Sequence, residues 1–225
     1  MATSPSVTTP SVRARLLSAA EVLYAERGID GVSLREINAL AGARNASALQ
    51  YHFGGRAGLL RAIIAGHRPG VEARRHELLD AYEATVEDDL RALAAALVLP
   101  LAATLAEPGG PGYLQVLSDL VNRPRPAIDP ASLDDPTDSL YRWRAAVEPL
   151  LSAEAVRLHR RFVAVRFTLA ELARRTRDRR SPDDRLFVAD LIDLVAGLLA
   201  APVSSETADA AASRRRARSI GGASN

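Results

Sequence analysis

The chain reads as an all-α protein: an N-terminal trihelical helix-turn-helix unit followed by a larger C-terminal helical bundle. Three observations predict this. Apolar residues recur at helical spacing almost throughout, and alternating β patterns of useful length are missing. Capping and stopping signals cut the first 66 residues into short helices. Charge divides the chain as well. Residues 1–66 hold seven arginines against four acids, residues 67–213 hold 18 against 23, and residues 214–225 hold four and no acid. A basic head on an acidic body implies that the head meets an anion.

Each element of the head has its own signal. Residues 1–10 are rich in Ser, Thr and Pro and read as a disordered arm. Ser11 caps a helix over 12–27 that Gly28 ends, with Leu16, Ala20, Leu23 and Tyr24 on its apolar face. Ser33 and Glu36 form a capping box that opens a second helix over 34–41. Its inward positions are Leu34, Ile37 and Leu40 or Ala41, and Gly42 stops it. A third short helix runs over about 46–52, anchored by Leu49 and Phe53, and Gly54-Gly55 breaks it. A fourth starts near Arg56 and carries Leu59, Leu60, Ile63 and Ile64. The head domain is set at 11–66, including this linking helix.

The body is set at 67–201, with helices expected over 70–86, 88–106, 112–122, 139–150, 153–178 and 183–201. Pro100 falls inside an apolar helical stretch and should kink it. Residues 123–138 hold four prolines and read as a loop. Residues 202–225, tipped by Arg214, Arg215, Arg216 and Arg218, read as a flexible tail.

Composition narrows the function classes. Of 225 residues, 48% are hydrophobic and 25% charged, the balance of a soluble globular protein. Cysteine is absent, so disulfides, thiolate metal sites and a cysteine nucleophile are excluded. No apolar run approaches a membrane span and no signal peptide is visible, so a cytoplasmic location is expected. The four histidines show no metal-ligand spacing, and no phosphate loop or nucleophile elbow occurs, so neither an enzyme, a metal site nor a cofactor is expected. All 29 basic residues are arginine.

The third short helix, over about 46–52, should enter the major groove of duplex DNA. Small residues at Ala46, Ser47 and Ala48 allow close approach to base edges. Gln50 can bond adenine bidentately, and Ser47 and Arg44 can also read base edges. Tyr51 and His52 suit phosphates. Asn45 can cap the helix and meet a phosphate at its N-terminus. Arg56 is a further phosphate candidate.

Residues 13–66 resemble the DNA-binding domain of the TetR family of transcriptional regulators. The resemblance is carried by Ala19-Ala20, Tyr24-Ala25-Glu26-Arg27-Gly28, Val32-Ser33-Leu34-Arg35-Glu36-Ile37, Ala41-Gly42 and Leu49-Gln50-Tyr51-His52-Phe53-Gly54-Gly55-Arg56. It implies that Ser33, Arg35, Arg44, Asn45, Ser47, Gln50, Tyr51, His52 and Arg56 contact DNA. Gln50 stands where an aromatic is common, and Arg56 where lysine is usual. The resemblance also implies a homodimer whose C-terminal domain binds a small, largely apolar effector, most simply a repressor released from its operator. The alternative is a helical interaction protein of the same ancestry without DNA binding.

Two further sites follow from residue type. Long apolar faces over 153–178 and 183–201 suggest a four-helix dimer interface through Leu158, Phe162, Leu169, Leu191, Leu194 and Leu198. Aromatics cluster at Tyr141, Trp143, Phe162 and Phe167, with Tyr113 upstream. With Leu97, Leu101 and Leu117, and polar groups at His67 and Arg166, Tyr113, Trp143 and Phe162 outline an effector pocket. Arg166 lies in an apolar helix and, if buried, needs an anionic partner.

Overall fold

The structure is a computed structural model that describes residues 10–43, 45, 47–85, 89–123, 135–178 and 183–221, with backbone alone beyond Arg214. The described residues are helical with no strand. In chain order the helices are α1 (Val12–Arg27), α2 (Leu34–Leu40), α3 (Ala48–Phe53), α4 (Arg56–Glu83), α5 (Leu90–Ala103) and α6 (Gly110–Val121). There follow α7 (Ser139–Val147), α8 (Ala153–Arg157), α9 (Arg160–Arg177), α10 (Arg185–Ala200) and α11 (Ser205–Gly221). The disordered reading of residues 1–9 and most of the loop at 123–138 lie outside the described residues.

The head is held by local signals. The Ser11 hydroxyl accepts from Ala14 N at 3.1 Å and starts α1. The capping box on α2 is complete, with Ser33 Oγ accepting from Glu36 N and Glu36 Oε2 accepting from Ser33 N. Leu16, Tyr24, Ile37 and Leu49 are fully or almost fully buried in one cluster with Ile29 and Leu59. Of the two inward candidates closing α2, Ala41 is buried and Leu40 is 55% exposed.

Two expected boundaries fall differently. The helices drawn at 56–66 and from 70 onward are one helix, α4, which runs through Gly66, Pro69 and Gly70. Those three residues are exposed, so the carbonyl that Pro69 leaves without an N–H faces water. The opposite face, with Ile63, Val71 and Leu79 buried, packs on α5, α6 and α7 and holds the helix together. The helix expected over 153–178 is divided into α8 and α9 by His159, whose φ of 56° is left-handed.

The tail also departs from expectation: its alanine- and arginine-rich stretch forms α11, after a 61° turn from α10. Among the described residues no single helix is long and apolar enough to cross a membrane.

Head and body meet where α1 crosses α6. Gly112 makes the crossing possible: a Cβ there would lie 2.2 Å from the Glu21 carbonyl oxygen. Nearby, Asp119 on α6 accepts a 2.7 Å bond from the Ile29 N–H just after α1, and Gln115 holds the other carboxylate oxygen at 2.6 Å.

Candidate functional site

Helix α3, which the sequence places in the major groove, stands on the outer surface of the head. Leu49 and Phe53 anchor it inward, and Gln50 and Tyr51 point outward, Tyr51 with 85% of its surface free. His52 is half-buried, its ring edge-on to Tyr51 at 5.1 Å between centroids. Asn45 Oδ1 accepts from both Ser47 N (2.9 Å) and Ser47 Oγ (2.7 Å), fixing the turn into α3. Ser33 and Arg35 lie exposed at the start of α2. Arg44 and Ala46 lie outside the described residues.

Arg56 is placed differently from the phosphate contact expected of it. Its guanidinium turns inward and donates to the Ile29 carbonyl at 2.5 Å and the Val32 carbonyl at 2.7 Å. Those carbonyls belong to the α1–α2 turn, whose acceptors have no helical partner, so Arg56 ties α4 to that turn. Arg13 was not singled out in the sequence. It is exposed and lies over the Phe53 ring at 5.1 Å, which places a cation beside α3. Its position one residue into α1 carried no signal, because contact with α3 is a tertiary event.

One capping carboxylate of the head has a strongly lowered pKa. Glu36 is held down to about 2 from the ordinary 4.5, first by the Ser33 N–H, then by the Ser33 hydroxyl and Arg27. Arg27 Nη1 sits 2.6 Å from Glu36 Oε1.

The body contains a chamber of about 660 Å³ between α4, α5, α6, α7 and α9. Leu97, Leu101, Leu117 and Phe162, named above as pocket candidates, line it together with Tyr113. Three other expected lining residues do other work. Trp143 is fully buried in the core, with its indole N–H donating to the Leu93 carbonyl at 2.8 Å. Arg166 is exposed rather than buried. It donates to Asn122 Oδ1 at 2.9 Å and lies 5.9 Å from the Phe162 ring centroid. His67 lies behind the chamber, stacked on Tyr113 at 4.9 Å. Its Nε2 is 3.3 Å from Glu21 on α1, and its Nδ1 is 3.5 Å from Glu107. Burial raises Glu21, and contact with His67 partly offsets that.

The buried polar residue of the chamber is Arg75, which the sequence reading missed. It is 4% exposed, and burial lowers its affinity for a proton. Its apolar neighbours at helical spacing, Val71 and Leu79, were the available signal. Tyr113, also buried, has its phenol pushed up to about 12 by desolvation. Among the described residues no cluster of three His, Asp or Glu is placed to hold a metal ion.

The residues expected to form a dimer interface divide. Leu158 (37%) and Leu194 (49%) are exposed, beside Val163 (44%) and Leu186 (81%). Leu169 and Leu191 are core residues, because α9 and α10 pack on each other and on α5. Phe162 and Leu198 are half-buried.

Comparison with known proteins agrees with the sequence resemblance. Residues 16–63 match the family model of bacterial regulatory proteins, tetR family. The crystal structure of Mycobacterium smegmatis AmtR is similar in fold, with a TM-score of 0.51 and 20% identity over 94% of this chain and 97% of that one. No curated protein sequence matches.

Proposed function

We propose that this chain, whose residues 16–63 match the model of bacterial regulatory proteins of the tetR family, is a DNA-binding transcriptional regulator of that family, and a homodimeric repressor released from its operator by a small molecule in the chamber. The observation that carries the reading is one chain of contacts. Tyr113 lines the chamber and stacks on His67, which pairs with Glu21 on α1, the first helix of the DNA-binding head. A ligand that shifts Tyr113 therefore bears on α1. It changes operator affinity only by the difference in its own affinity for the two head positions.

On DNA, Gln50, Ser47 and Arg44 read base edges, and the small Ala46 lets the helix come close to them. Asn45, Tyr51, His52, Ser33 and Arg35 hold the backbone. Arg13 joins these as a phosphate contact, and Arg56 acts as a positioning residue. Two heads at fixed separation require a dimer. The exposed apolar side chains of α9 and α10, Val163, Leu186 and Leu194, support pairing of those helices across a two-fold axis. The head at 11–66 and the body at 67–201 are its two working parts, with α4 shared between them.

The test is binding to duplex DNA from upstream of the chain's own gene, beside a shuffled duplex, at physiological salt. Sedimentation of the free protein and of the complex runs in parallel. Selective binding by a dimer supports the proposal. Failure to bind either duplex even at low salt favours an interaction protein instead.

A further inference from the structure

We propose that the chamber takes a carboxylate with an apolar body, and that Arg75 receives its anionic head; this deepens the effector reading above and rests on it. The argument starts from an arginine in an unusual position. The side chain is almost wholly buried, yet its Nε has no hydrogen-bond partner. Its Nη1 donates to a neutral acceptor, Ser139 Oγ, at 2.8 Å. Among the described residues, Arg75 forms no ion pair. Buried arginines ordinarily have a carboxylate, because an uncompensated charge in a low-dielectric interior is strongly disfavoured.

Two acids line the same chamber, and both are committed elsewhere. Glu72 Oε2 accepts from the Ser139 N–H at 2.7 Å, and its other oxygen is 3.5 Å from Arg68. Asp138 Oδ1 caps α7 through the Leu140 N–H at 2.7 Å, while its Oδ2 takes Arg68 at 2.8 Å. They offset Arg75 at a distance without bonding it. Arg161, a half-buried cation on the same wall, is paired with Glu148. Among the described residues Arg75 has no such ion pair.

The remaining wall selects the rest of the ligand. Leu97, Leu101, Leu117 and Phe162 offer apolar contact. Tyr113 is a neutral phenol at physiological pH and a possible donor to the same head. One positive charge on one buried guanidinium, with two carboxylates already facing the space, suits a single negative charge better than a phosphate dianion. The protein bears the cost of desolvating Arg75 when it folds, so an arriving carboxylate meets a donor already stripped of water.

The experiment is calorimetric titration of the full chain with four probes: decanoate, 1-naphthoate, and their neutral counterparts decanol and 1-naphthalenemethanol. Wild type is compared with Arg75→Met and Arg75→Lys, each checked for its helical spectrum and melting point. At least one carboxylate should bind wild type more tightly than its neutral counterpart. Arg75→Met should weaken that carboxylate by about tenfold to a hundredfold and leave the alcohols unchanged. Should Arg75→Met fail to fold, Arg75→Lys carries the test, with a smaller loss confined to the carboxylates. Alcohols binding as tightly as carboxylates, or carboxylate binding indifferent to both substitutions, would overturn the anion proposal while leaving an effector chamber standing. If none of the four probes binds, the carboxylate proposal falls, while the effector reading is tested separately by its own operator assay. Operator binding is measured separately and survives either result.

Discussion

The reading face and the chamber place polar side chains in opposite ways. On α3, Tyr51 stands 85% exposed, and Gln50 is also in water. In the chamber, Arg75 is 4% exposed and has already left water. A solvated face sheds its hydration only when its ligand arrives, so its residues govern binding and contribute little to folding. A buried group is part of the folding balance before any ligand comes. Substitutions should therefore separate cleanly: those on the face change recognition, and those around the chamber change stability.

The largest test of that division is Trp143→Ala. Loss of a fully buried indole and its bond to Leu93 should destabilise the protein by about 3–5 kcal/mol in urea unfolding. A loss below about 1 kcal/mol would show that the wall behind the chamber is loosely packed. Next, Gly112→Ala forces a methyl onto the Glu21 backbone and should cost about 1–3 kcal/mol. It should also weaken operator binding, since α1 must shift; unaltered affinity would uncouple the α1–α6 crossing from the head.

Arg56→Ala sits on the border between the two regions. Removing its bonds to Ile29 and Val32 should lower head stability by about 1–3 kcal/mol, with the salt dependence of DNA binding retained. A salt slope lower by about one would mean that the guanidinium swings out to a phosphate in the complex. Gln50→Ala should leave the melting point alone and change preference among duplexes by about 1–3 kcal/mol at one base pair. Unchanged preference would remove Gln50 from readout.

The smallest effect is in acid. Glu36 titrates at about 2 in the folded head against an ordinary 4.5. Its contribution is complete above 4.5 and disappears as pH falls toward 2. Melting points of wild type and Glu36→Gln should converge over that range; parallel curves would place the acid sensitivity elsewhere.

The head was legible because its signals are local. Ser11, the Ser33–Glu36 box and Gly28 each act within a few residues, and the helix boundaries they set for α1 were those found. The chamber was half legible. Tyr113, Leu117 and Phe162 were found as apolar or aromatic residues, but the arginine among them was not. The same rule, an arginine within an apolar helical stripe, pointed to Arg166 and passed over Arg75. Only packing distinguishes the two, since Arg166 ends on the surface against Asn122 and Arg75 faces four other helices. The continuity of α4 was hidden for a related reason. Gly66, Pro69 and Gly70 are breakers by local rule, and the helix survives them because long-range contacts hold its other face.

That continuity has a mechanical consequence. At 28 residues and about 1.5 Å per residue, α4 is a rod of roughly 42 Å, with Arg56 near one end and Arg75 well along it. A rigid rod converts small angles into large displacements. A tilt of about 5° pivoted at one end moves the other by roughly 3.7 Å over such a length. That is close to the 3.4 Å rise between stacked base pairs. If an effector in the chamber, as proposed above, tilts α4, a change of a few degrees reaches the head as a displacement on the scale of one base-pair step.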